Sequence, residues 1–169
     1  ARNSDISELK EAAGDSIGFM RARWEQGEAR EDGDILLRTY PDPTSPQRMY
    51  IECIFTAVET VMGKRAVTDA ERIELEVAVR QLASFGAEPG EMAGLFSKTA
   101  LELIQTNVEN ALLHALTNGS AKVVKEEAAA GLEKIASDRV EEILERIVAG
   151  MGEGSETGAI ASDTLAGIR

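Results

Sequence analysis

His114 and Cys53 are the residues of this sequence best equipped for chemistry, and each is the only one of its type. A lone histidine on a helix can serve as an axial ligand to haem or a metal, or as a general base near neutral pH. It cannot build a two-histidine zinc helix or the paired Glu-x-x-His set of a di-iron bundle. Phe96, Leu103, Asn107 and Asn110 stand near His114 at helical spacing. A surface or half-buried histidine bonded to a neighbouring amide is the commoner state of such a residue. Cys53 acts as a nucleophile or a covalent cofactor anchor only as a thiolate, which needs nearby cations or a helix N-terminus. Arg48 precedes it but does not share its face, so Cys53 reads as a small hydrophobe within an apolar helix.

Other constellations fall short of their chemistry. Asp32-Gly33-Asp34 suggests a calcium loop, yet counting twelve from Asp32 reaches Pro43 where an EF-hand needs glutamate. Gly150-Met151-Gly152-Glu153-Gly154 has no preceding strand and no Gly-Lys-Ser/Thr, and it sets a carboxylate where phosphate would sit. No Gly-x-Ser-x-Gly elbow accompanies His114. Asn118-Gly119-Ser120 matches a glycosylation sequon and equally a helix stop and restart. Glu141 and Glu145 read as a solvated helix face. In phycobiliproteins, which are acidic and helical, an Arg-Asp pair follows the bilin cysteine; here Ile54-Phe55 follow Cys53, and that family is not identified.

The elements that must position these residues are all helical: the spacing predicts an all-α bundle of five to six helices and no strand. A first helix is expected from Asp5 to Gln26, with Ser4 as N-cap and Leu9, Ala12, Ile17, Met20 and Trp24 as its stripe. Gly27 to Pro46 carries three prolines and reads as a loop, within which Ile35-Leu36-Leu37 can form a short extended piece or a helical turn. Ser45-Pro46 opens a helix to Met62 that is apolar on most sides. Thr68 to Glu71 has the form of a capping box and starts a helix ending at Gly86. Pro89 opens a helix to about Leu116 whose seam is Leu101, Ile104, Val108, Leu112 and Ala115. Ser120 to Ala149 forms a long amphipathic arm, which Ser137-Asp138 with Glu141 either splits or leaves whole. Residues 1–149 form the helical domain. Residues 150–169 are a Gly- and Ser-rich tail that composition alone would leave disordered, and Ile160, Leu165 and Ile168 are the side chains able to dock it on its own body or on a neighbouring subunit.

Composition narrows the function. Of 169 residues, 18 are Lys or Arg and 30 are Asp or Glu, a net charge of −12. Such a field repels polyanions, and the cations are scattered, so neither nucleic acid nor a membrane surface is an expected partner. A single cysteine excludes a disulfide framework and favours a cytoplasmic setting. The expectation is a non-enzymatic, cofactor-free assembly protein acting as a homo-oligomer or with a protein partner. Tyr50, Phe55, Ile143, Ile147 and Ile160 are its candidate contact residues. The alternative is a cofactor- or pigment-binding sensor bundle anchored at His114 or Cys53.

Overall fold

Five helix starts among the described residues are set by short polar side chains. The computed structural model describes residues 30–63, 68–85, 94–118, 121–152 and 154–169. Among them are seven helices: α1 over 30–39, α2 Pro46–Gly63, α3 Asp69–Phe85, α4 Lys98–Asn118, α5 Lys122–Ile135, α6 Asp138–Met151 and α7 Glu156–Ile168. The expected helix Asp5–Gln26, the Gly86 stop and the Pro89 start lie outside the described residues.

Before α2, the Thr44 N–H and hydroxyl both donate to Asp42 and hold its carboxyl below the usual carboxylate range. Ser45 Oγ then accepts from Arg48 N–H at 3.1 Å, and Pro46 occupies the first helical position, where its missing N–H is no loss. The capping box before α3 is reciprocal. Glu71 N–H donates to Thr68 Oγ1 at 3.1 Å and Thr68 N–H donates to Glu71 Oε1 at 3.0 Å. Ser97, Ser137 and Ser155 cap α4, α6 and α7 by accepting from Ala100, Val140 and Gly158 N–H groups.

Cross-helix contacts fix the directions. Arg80 on α3 meets Glu127 on α5, and a Cβ built on Gly131 would meet Ala83, so α3 and α5 run parallel. Gln47 and Tyr50 at the start of α2 reach Leu95 and Phe96 just before α4, so α2 and α4 run parallel too. Helices α2, α3, α5 and α4 each pack on the next around a four-helix core, with α4 closing the ring onto α2. Within it Ile51, Val58, Val79, Leu82, Ile104, Val108, Leu112, Leu116, Val124 and Leu132 are fully enclosed. Helix α7 lies on α5, and α6 lies on α7.

Several expectations are corrected. The helices outnumber the five or six expected, for three physical reasons. The 27–46 loop contains α1, because Gly33 lets its backbone approach the Phe55 ring while Leu36 enters the core; Asp32-Gly33-Asp34 is thus helical. The long C-terminal arm is two helices, since Ala136 adopts the left-handed conformation (φ 49°, ψ 36°) and Ser137 caps a fresh start. Within the Gly- and Ser-rich tail, residues 156–168 form a helix that buries Thr157, Gly158, Ala161, Thr164 and Leu165. Lys125–Glu156 (3.3 Å) ties α7 to α5, and Arg169 binds Glu141 and Glu145 of α6. Helix α4 starts at Lys98, after a turn at 94–97. Helix α2 is not apolar all round: Met49, Glu52, Cys53, Thr56 and Glu59 form an exposed stripe.

Candidate functional site

The strongest concentration of interacting polar groups centres on Glu109. Helix α4 is the most enclosed helix, and Asn107, Glu109 and Asn110 are buried on it beside Val108 and Leu112. The Glu109 side chain is 3% exposed and faces the junction between α5 and α6. Its Oε1 accepts from Arg139 Nη1 at 3.0 Å. Its Oε2 accepts from the Ser137 hydroxyl at 2.8 Å and from Gln105 Nε2 at 3.0 Å. Arg139 Nη2 also donates to Asn110 Oδ1. Ser137 does double duty, because the hydroxyl that donates to Glu109 also caps α6. A carboxylate surrounded by three donors is a satisfied structural ion. It fixes the bend between α5 and α6 against α4. Nearby, Asn107 Nδ2 bridges Asp32 of α1 at 2.9 Å and the Leu103 carbonyl at 2.8 Å.

Glu109 played no part in the sequence-based site. The signal was its position: Glu109-Asn110 stand between Val108 and Leu112 in a helix whose apolar residues cover nearly every side, so both had to enter the interior.

The sequence-predicted residues are not brought together. His114 is half-buried on α4, with its Nδ1 3.4 Å from the Asn118 amide, and burial pushes its pKa below the ordinary 6.5. Cys53 is exposed, contrary to its reading as a buried hydrophobe, because it falls on the outer stripe of α2. Phe55 (8% exposed) and Ile147 (7%) belong to the core. Tyr50 is half-buried with its ring 5.7 Å from that of Phe96, which Tyr40 meets edge-on at 5.3 Å. Ile143 and Ile160 are half-buried on α6 and α7.

The lowered His114 pKa has a measurable consequence. Between the folded value and 6.5 the unfolded chain binds a proton that the folded chain does not. This contribution to stability is complete above pH 6.5 and is lost as pH falls through the folded value. Denaturant unfolding from pH 8 to pH 5 should show wild-type stability declining more steeply below 6.5 than that of His114→Gln. Parallel curves would refute the burial argument.

An open groove of about 470 Å³ runs between α3 and α5, lined by Arg80, Ala83, Ser84, Val123, Glu126, Glu127, Ala130 and Lys134. Neither His114 nor Cys53 lines it. Among the described residues, no group of three His, Cys, Asp or Glu side chains is placed to hold a metal ion, and no helix is long and apolar enough to cross a membrane. No protein-family model, curated protein or solved structure matches the chain.

Proposed function

We propose that this chain is a non-enzymatic assembly protein whose copies associate through the outer face of α3 and α5. The observation that carries this reading is the placement of exposed apolar side chains. Ile73 (58% exposed) and Val77 (48%) stand one turn apart on α3, and Val123 (42%) lines the groove on α5. Ile35 and Met49, the other large apolar side chains exposed among the described residues, lie on α1 and α2. Charge supports the same face. The groove is lined by two cations, Arg80 and Lys134, and two carboxylates, Glu126 and Glu127. Within a chain of net charge −12, a locally balanced surface is where two copies approach with least repulsion.

The site of contact thereby shifts from the residues suggested by sequence. Helix α7 takes up the apolar faces of α5 and α6, so Ile147 is internal and Ile143 and Ile160 are largely covered within one copy. Ile73, Val77 and Val123 remain for a neighbour.

Size-exclusion chromatography with light scattering tests the reading across micromolar concentrations. An assembly that dissociates on dilution is expected. Val77→Lys places an ammonium at the centre of the contact and should raise the dissociation constant about tenfold or more, with helical content unchanged. A wild-type monomer throughout the range would overturn the proposal.

A further inference from the structure

Helices α5 and α6 meet at one residue that stores strain. Ala136 occupies the left-handed region at φ 49°, where a non-glycine side chain crowds the following carbonyl. Alanine is also the best helix former, so the same residue would sit without strain in an unbroken helix. The bend is held by tertiary contacts: Ser137 and Arg139 both engage Glu109, and Arg139 also reaches Asn110. Beyond the bend, α6 rests on α7, and α7 is the part of the pair that lies on α5. The α6–α7 hairpin is therefore a unit joined to the four-helix core by one strained hinge, one polar latch and the underside of α7.

The apolar positions define a second conformation. On α5 the buried face is Val124, Ala128 and Leu132; on α6 it is Val140, Leu144 and Ile147. At 3.6 residues per turn, a straight helix over 122–151 would place these faces roughly 130° apart. A straight helix would carry the α6 face, and the α7 that covers it, away from its own core, so a single copy bends to set α7 on α5. The straight helix buries both faces when its two halves pack on different bodies.

We propose that the α6–α7 hairpin is exchanged between two copies of this chain: Ala136 goes helical, α5 and α6 fuse, and each hairpin docks on the other copy's α5 and Glu109. The exchange recreates every latch and core contact between chains and relieves the strain at two hinges. It rests on copies of this chain associating, but not on their using the face of α3 and α5.

Carbodiimide coupling of the full-length protein supplies the test, since Lys125 Nζ and Glu156 Oε1 lie 3.3 Å apart across the α5–α7 contact. Nitrogen-15-labelled and unlabelled chains are unfolded together, refolded at high concentration, coupled, and the dimer fraction is digested for mass spectrometry. A Lys125–Glu156 cross-link joining labelled to unlabelled peptide is expected. A dimer holding only same-isotope cross-links would overturn the exchange while leaving the α3–α5 face intact. Two variants separate the hinge from general stability. Ser137→Ala removes the cap that only the bent form uses, while the latch hydroxyl is lost from both forms, and should strengthen dimerisation about tenfold. Ala136→Gly relaxes the bend and penalises the fused helix at both hinges, so it should weaken dimerisation about a hundredfold or more. Both shifts should persist with Val77→Lys present; no shift, or the reverse order, would overturn the proposal.

Discussion

Replacing Arg139 by methionine should destabilise the protein by about 3 kcal/mol, because it leaves the Glu109 carboxylate enclosed without its counter-ion. The effect falls near the lower end of the range for broken buried pairs, since the Arg139 side chain is 35% exposed and its charge is partly solvated. Exposure also makes the two ends of the pair unequal. Glu109, at 3%, has no access to water when Arg139 is lost. Arg139 can turn outward when Glu109 is lost. Glu109→Met should therefore be milder than Arg139→Met, and the double variant should recover much of the loss by replacing two ions with apolar volume. Urea unfolding of the four proteins at pH 7 gives the cycle directly. A loss below about 1 kcal/mol for Arg139→Met would mean that Ser137 and Gln105 suffice to hold the carboxylate.

The same cluster shows where sequence reasoning stops. The caps were legible because each depends on residues within one turn: Ser45-Pro46 and Thr68 with Glu71 do what their spacing indicates, and Ser137 takes one of the two alternatives its spacing left open. The core face of α4 was legible for the same reason: Ile104, Val108, Leu112 and Ala115 of its expected seam are buried and Leu101 is partly so. What escaped is set by contacts distant in sequence. Helix α1 has Asp, Gly and Asp in its first turns, a composition that suggests a loop, and exists because Gly33 meets Phe55 and Asp32 meets Asn107. Helix α7 reads by composition as a Gly- and Ser-rich tail, and its helical form depends on α5 and α6 being in place to receive Ala161 and Leu165. The position of Glu109 carried a local signal for its burial, but nothing local predicts that Arg139 folds back onto it. The exposed face of Ile73, Val77 and Val123 was invisible for a related reason: which apolar side chains remain uncovered is known only after every helix has chosen its neighbours.

Gly131→Val is expected to match the Arg139 variant in magnitude by a different route. Gly131 lies in the middle of α5, where glycine is unfavourable by about 1 kcal/mol relative to alanine, so propensity alone predicts that any larger residue stabilises the helix. Packing reverses that sign. A Cβ at this position would stand 2.8 Å from both the Cα and the Cβ of Ala83 on α3 and 3.1 Å from Leu112 Cδ1 on α4. The Leu112 methyl can turn aside, but the Ala83 Cα is backbone, and the two helices must separate to make room. Separation also strains the Arg80–Glu127 bridge one turn away, at 2.9 Å. Alanine should cost about 1–2 kcal/mol net, overpacking outweighing the propensity gain, and valine about 3 kcal/mol, since its branched methyls enlarge the clash and it is itself a poorer helix former. Ala130→Val is the control, because Ala130 is exposed on the same helix and should lose only the propensity difference, less than about 1 kcal/mol. Thermal and denaturant unfolding of the three variants decides between the effects. Stabilisation by Gly131→Ala would mean that α3 and α5 can part freely at this contact, and the parallel pair at the centre of the fold would then be looser than its spacing indicates.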